Sequence, residues 1–552
     1  MSKDIVIHGG QLIDGSGSPA KAADVRIVDD RIAEIGHGLT GHRMIDASDR
    51  VVAPGFIDIH THYDAQVFWD PALTPSCYHG VTTVVAGNCG FSIAPTRPEH
   101  REVIAKTLEN VEDMDVAALA EGIPWDFETF PQYLDSIRQR GSLLNFGAYL
   151  GHTALRLFAM GDAAYERPAT DDEIEIMTGI LREGLHAGAC GFATSFAVTH
   201  RGLDGKPVPS RFAEKKEFEA LCRVVGDVGK GIVHLVPGDQ CSVPEIYDIQ
   251  KATGVPFTWA ALLTFEGTNY REIAEANSMQ HAQGARVWPQ VSSRELTFQF
   301  QMSDPFFLNQ AECFAALMSQ GPDARKAAYS DATWREQATR EASELLIKPR
   351  WESIRVDETT EHESLRGRTI AEIAEQRGDA PMDVVCELAL AEDLSTRFRQ
   401  VVANDDEEGV AYLLQRDDCV LGLSDGGAHV GQLCDAPIAT TLLGKWVRDK
   451  GALPLEKAIY KLTREPANLF GFPDRGELRQ GMKADVVVFD PDTVDSGPLR
   501  RVRDFPANSE RLTADQPSGM SHLLVNGCVI RENERSLHDE LSDHPGEIVS
   551  PA

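Results

Sequence analysis

Gly55-Phe56-Ile57-Asp58-Ile59-His60-Thr61-His62 is a short apolar run ending in two histidines one residue apart. Side chains at i and i+2 of a strand project from the same face. The run therefore predicts a buried strand that presents two imidazoles together at its C-terminal end. Such a pair suits a divalent metal of the zinc type. Taken alone, it is equally consistent with two solvated loop histidines.

Outward from this strand, the middle of the chain alternates strand and helix. Thr82–Ala86, Leu144–Leu150, Gly191–Ser195, Ile232–Val236, Val255–Trp259, Arg286–Trp288 and Val420–Leu423 read as further strands. Helical patterns lie between them. The clearest is opened by Thr170 and Glu173, a capping box, with Ile174, Met177, Ile180, Leu181 and Leu185 on one stripe. With the strand ending at His60, the count is eight β/α units, which predicts an α/β fold of the (β/α)8 TIM-barrel type. An open doubly wound sheet is the alternative, but no Gly-x-Gly-x-x-Gly turn supports a dinucleotide crevice.

Both chain ends read as short strands separated by turns. They predict a small β-sandwich domain built from residues 1–54 and 470–552, with the barrel occupying 55–469. Residues 292–418 are too long for one connector. Because they follow a barrel strand, they predict a lid at the catalytic face.

Hydrophobic residues make up 42% of the 552 and charged residues 25%, as in an ordinary soluble globular protein. A net charge of -32 disfavours nucleic acid and anionic membranes as partners. No apolar run reaches the length of a membrane span, and no secretory signal is visible at the start. The ten cysteines include no Cys-x-x-Cys pair and read as free thiols, so the expected compartment is the cytoplasm. The expected partner is a small-molecule substrate. The sequence is compatible with a homo-oligomer.

Several metal-binding side chain types fall at the ends of the predicted strands. His60 and His62 follow strand one, Cys89 strand two and Asp425 strand eight, while His234 lies on strand five. In a barrel those ends converge on one mouth. Imidazole, thiolate and carboxylate all ligate zinc. A carboxylate beside a metal-activated water is also what hydrolysis needs.

The chain resembles the amidohydrolase superfamily, and within it the D-aminoacylase (N-acyl-D-amino-acid deacylase) group. The resemblance runs through Ile7-His8-Gly9-Gly10-Gln11-Leu12-Ile13-Asp14-Gly15-Ser16-Gly17 and Val52–His62. It continues through Gly80-Val81-Thr82-Thr83-Val84-Val85-Ala86-Gly87-Asn88-Cys89-Gly90, Gly151–Arg156 and Gly476–Asp490. The cysteine marks this group off from relatives that use a carbamylated lysine. The resemblance implies a zinc site at His60, His62, Cys89, His234 and Asp425. Asp425 would serve as acid and base, and His152 would lie near the substrate.

The family's further metal-binding histidine at the end of strand six has no counterpart, since this strand reads Thr258-Trp259-Ala260-Ala261. One zinc is therefore expected, with the second position open. The family's lysine and arginine for the substrate carboxylate also lack counterparts. Arg294 and His429 are the candidates to contact substrate in their place. The expected activity is hydrolysis of a non-peptide amide, foremost the deacylation of an N-acyl-D-amino acid. A cyclic amide hydrolase with the same site, and a non-catalytic relative that lost its chemistry, are the alternatives.

Overall fold

The computed structural model describes residues 4–202, 205–265, 267–318, 320–345 and 347–552. Eight strands form one parallel sheet: β1 (Phe56–Asp58), β2 (Val81–Ala86), β3 (Asn145–Gly151), β4 (Gly191–Ser195), β5 (Ile232–Val236), β6 (Phe257–Trp259), β7 (Val287–Val291) and β8 (Val420–Leu421). Their order in the sheet is their order in the chain. Valine and isoleucine supply half or more of β2 and β5, and every residue of β2 and β6 is buried, as expected of strands covered on both faces. Beyond the ends of β1 and β8 the two edges meet. Thr61 bridges Gly426 in parallel sense. His62 N–H donates to Gly426 O at 2.7 Å, and Asp425 N–H donates to His60 O at 3.1 Å.

Helices cover the sheet where the apolar stripes require them. Asp171–Ala187 opens with the capping box of Thr170 and Glu173 and ends at Gly188, whose φ is 117°. Ile174, Met177, Leu181 and Leu185 are buried as expected, while Ile180 is half-buried. Lys215–Val228, Val243–Thr253 and Tyr270–Ala282 follow β4, β5 and β6 in turn.

The termini supply two more sheets. One has four strands, Arg31–Gly36, Asp24–Val28, Asp4–His8 and Arg43–Asp46. The other has seven and interleaves both ends of the chain: Val486–Phe489 lies between Met520–Val525 and Val51–Pro54. Ile5, Ile7, Val25 and Ile27 from the first share a core with Val52, Val486, Val488 and Leu524 from the second. Residues 470–552 do not all remain there. A hairpin of Arg500–Val502 with Arg511–Thr513 reaches the segment after Asp425, where Leu512 N–H donates to Val430 O at 2.6 Å. The tail crosses to β3, with Val549 N–H donating to Phe146 O at 3.0 Å. Val549 packs there with Ile57, Val85, Tyr149 and Ile232.

The long connector after β7 is folded. Leu296–Gln301, Arg397–Ala403 and Arg355–Glu358 make an antiparallel sheet. With the helices between them they enclose a separate core that includes Phe300, Phe314, Tyr329, Val356 and Phe398. One of those helices runs over Ala332–Ala342. Replacing Phe398 by alanine is expected to cost this core about 3–5 kcal/mol. The check is limited proteolysis between residues 303 and 396, which should accelerate. Cutting at the wild-type rate would contradict an independent core.

Candidate metal centre

The structure gathers the five ligand candidates at the C-terminal end of the parallel sheet. Two overlapping groups of donors form, His60 with Cys89 and His234, and His60 with His62 and Asp425, each with its ligand atoms within 4.8 Å of one another. His60 Nε2 is common to both: it lies 3.5 Å from Cys89 Sγ and 3.1 Å from Asp425 Oδ1. His62 Nε2 is 3.8 Å from the same Asp425 oxygen, and His234 Nε2 is 3.9 Å from Cys89 Sγ. The three imidazoles are buried, whereas the Asp425 side chain keeps 14% of its surface exposed and is the way in.

Local backbone geometry aims these groups. Cys89, Leu423, Asp425 and His429 all sit at positive φ, at 55°, 64°, 46° and 50°. Such conformations cost roughly 1–3 kcal/mol each in residues other than glycine and persist where their surroundings over-determine them. The turn that carries Cys89 begins at Gly87, with φ 81°, where a Cβ would lie 2.6 Å from Tyr149 O. Asn88 Nδ2 donates to Thr61 O at 3.2 Å and to Val85 O at 2.9 Å, tying the turn to the histidine-bearing segment.

Charge at the site is unbalanced toward acids. Burial pushes the Asp425 carboxyl up to about 8, with Asp435 and Asp58 adding to the shift. Burial raises Asp58 to about 7 and Glu112 well above the carboxylate range. It lowers His60 to about 4, and His62 and His234 well below the usual imidazole value. Burial, then Glu112 and Asp425, hold the Cys89 thiol far up. Burial thus disfavours the charged form of each of these groups. A divalent ion reverses this by favouring the anionic forms, so the residues present fit one.

Two residues at the centre were not read from the sequence. Glu112, the buried last residue of the helix Arg101–Glu112, has Oε1 3.4 Å from His62 Nδ1 and Oε2 3.7 Å from His429 Nε2. Its carbonyl also accepts from the His429 N–H. Nothing in the acidic run around it marks it out. Gln290 on β7 has Oε1 2.6 Å from His60 Nδ1. A polar residue inside an apolar strand was the available signal.

Two of the residues expected near substrate are engaged by other side chains. His152 is fully buried, with Nδ1 on Thr194 Oγ1 at 2.7 Å and Nε2 on Glu217 Oε1 at 2.8 Å. Glu217 also pairs with the buried Arg156. Arg294 is committed to Asp435 at 2.7 Å and Thr441 at 2.9 Å. It lines a cavity of about 420 Å³ whose described lining does not include Asp425. His429 does reach the site, with Phe298 of the inserted sheet against its ring at 5.7 Å.

The amidohydrolase family profile matches residues 43–529, and the chain belongs to this family. It is 30% identical to an N-acyl-D-glutamate deacylase of Alcaligenes xylosoxydans xylosoxydans, over 99% of this chain and 96% of that one. It is 31% identical to a D-aminoacylase of the same organism, over 96% and 95%. Among solved structures, a D-aminoacylase described as having a binuclear metal centre matches with TM-score 0.68 and 26% identity, over 99% of each chain. An N-acyl-D-glutamate deacylase from Bordetella bronchiseptica matches with TM-score 0.66 and 27% identity over the same share. That enzyme holds zinc and a phosphonate mimic of the tetrahedral intermediate.

Glu217→Ala separates the buried polar cluster from the metal centre. Stranding Arg156 without its partner is expected to cost about 3–5 kcal/mol in chemical denaturation, with the zinc content of the folded chain unchanged. Loss of metal at unchanged stability would instead place His152 and Glu217 within the site.

Proposed function

We propose that this chain is a zinc-dependent amidohydrolase that removes the acyl group from an N-acyl-D-amino acid or a similar N-acyl compound. The observation that carries the reading is the meeting of His60, His62, Cys89, His234 and Asp425 around His60 Nε2. It is supported by the deacylases this chain resembles along nearly its whole length. Those five side chains would hold the ion. Bound zinc supplies a water of lowered pKa and electrostatic stabilisation of the carbonyl oxygen.

The protein's own part is proton transfer and exclusion of solvent. Asp425 is the most exposed of the five and borders a small cavity of about 20 Å³, room for about one water. Beside a cation its carboxyl falls from about 8 and becomes a base. It takes the proton from the attacking water and returns it to the leaving nitrogen. His429, whose Nε2 lies 3.7 Å from Glu112 Oε2, is the substrate contact this reading retains. Strand six carries no histidine, so one zinc is preferred over two.

The same reading treats 55–469 as a TIM-type barrel and 1–54 with 470–552 as a β-sandwich domain. The insertion within 292–418 is read as the lid, because Phe298 touches His429 and Asn404 Oδ1 accepts from Thr264 N–H at 3.0 Å beside the mouth. Ten unpaired thiols support a cytoplasmic setting. Among the described residues no helix is long and apolar enough to cross a membrane. The commitment of Arg294 to Asp435 removes an obvious carboxylate clamp, which keeps cyclic amides as a second substrate class.

The test is hydrolysis of N-acyl-D- and N-acyl-L-amino acids beside cyclic imides, with zinc measured on the same sample. Turnover of an N-acyl-D-amino acid is expected. Asp425→Asn should keep the zinc and lose about 10²–10⁴-fold in kcat. Wild-type rates in that variant would refute the assigned role, and a zinc-free, inactive wild type would refute the function.

A further inference from the structure

His200 lies on the long loop between β4 and the helix Lys215–Val228. Its Nδ1 is 2.7 Å from Oγ of Ser195, the last residue of β4, and its ring packs edge-on to Phe91 with centroids 5.2 Å apart. Phe91 closes the turn that carries Cys89. His200 Nε2 has no hydrogen-bond partner among the described residues. A half-buried imidazole, one nitrogen fixed and the other free, thus stands beside the metal centre without belonging to either group of donors.

Topology sets this ring across the mouth from Asp425. Sheet order follows chain order, and the ends of β1 and β8 join through Thr61 and Gly426. In such an order strand four is half-way round from strand eight. An acid after β8 and an imidazole after β4 therefore stand on opposite sides, with the donors from β1, β2 and β5 between them. The loop is fixed at several points. Ser210 Oγ–H donates to Ser195 O at 2.7 Å, and Arg211 spans Val198 O at 3.2 Å and Asp239 at 2.7 Å. Asp239 N–H donates to Phe196 O at 3.3 Å. A Cβ on Gly238 would lie 1.7 Å from Phe196 O, so the loop after β5 can approach this closely only as glycine.

Burial first, then His429, Arg211 and His60, push the His200 imidazole down to about 3, so the ring is neutral. A neutral imidazole has one N–H and one lone pair. Ser195 Oγ accepts from Ala197 N–H at 3.2 Å, and among the described residues its own hydroxyl hydrogen has one acceptor, His200 Nδ1. The ring's hydrogen then sits on Nε2, the free nitrogen. A neutral imidazole N–H held in this way polarises a carbonyl without giving up its proton.

We propose that His200 is a catalytic residue whose Nε2–H donates a hydrogen bond to the carbonyl oxygen of the scissile amide, from the side of the mouth opposite Asp425. The bond strengthens as the attacked carbonyl gains negative charge. His200 keeps its hydrogen throughout, and the proton that moves is the one Asp425 takes and returns. This deepens the hydrolase reading above and rests on it.

The test pairs the kinetics of an N-acyl-D-amino acid with inhibition by its phosphonate analogue, and zinc is measured on the same samples. His200→Ala is expected to keep its zinc and to lose about 10²–10³-fold in kcat with KM little changed. It should bind the phosphonate more weakly by a similar factor, because that analogue carries the charge of the transition state. His200→Gln restores an N–H donor and should recover part of kcat. Ser195→Ala frees the ring to place its hydrogen on either nitrogen, so kcat should fall by a smaller factor, and it provides the second measurement if the His200 variants do not fold. Wild-type kcat in His200→Ala or Ser195→Ala, a raised KM at unchanged kcat, or lost zinc would each overturn the proposal while leaving the hydrolase reading in place. A wild type that hydrolyses no N-acyl substrate would overturn both.

Discussion

The seam between the two edge strands of the parallel sheet is the constraint on which the centre depends. Asp425 N–H donates to His60 O, His62 N–H to Gly426 O, and Ser424 Oγ–H to His60 O at 2.9 Å. These bonds join the segment that supplies two imidazoles to the one that supplies the carboxylate, across most of the chain. Two backbone bonds and the Ser424 hydroxyl thus set His60 Nε2 against Asp425 Oδ1. The remaining donor candidates arrive from within β5 and from the tight turn after β2.

Holding these groups together is costly in the absence of a cation. Buried acids are pushed toward their neutral forms, imidazoles toward theirs, and four residues at positive φ add backbone strain. A bound dication offsets much of this, which couples metal binding to the stability of the site. Glu112 and Gln290 extend the arrangement outward. Each faces the outer nitrogen of an imidazole, the position from which ring orientation and tautomer are set.

The parallel sheet was legible in the sequence because its strands are apolar runs separated by helices with clear stripes and caps. The five donor candidates stood out in the sequence because His60, His62, Cys89 and Asp425 follow the ends of predicted strands and His234 interrupts an otherwise apolar one. The partners of two other candidates were not legible, for a physical reason. His152 sits in a stretch that matches the family, yet its ring is consumed by Thr194 and Glu217, partners that no local pattern reveals. Arg294 has a suitable charge near the mouth, but Asp435 lies 141 residues along the chain and neutralises it. The sheet of the insertion could have been found: Leu296-Thr297-Phe298-Gln299-Phe300 alternates strictly, the pattern of a half-buried strand. Glu112 gave no such signal, because a buried acid within an acidic run looks like a solvated one.

The central claim is that a thiolate and imidazoles from separate strands share one ion with Asp425. X-ray absorption at the zinc edge of the loaded protein tests it most directly. One sulfur at about 2.3 Å with nitrogen and oxygen neighbours at about 2.0–2.1 Å is expected. A shell of oxygen and nitrogen atoms without sulfur would contradict it.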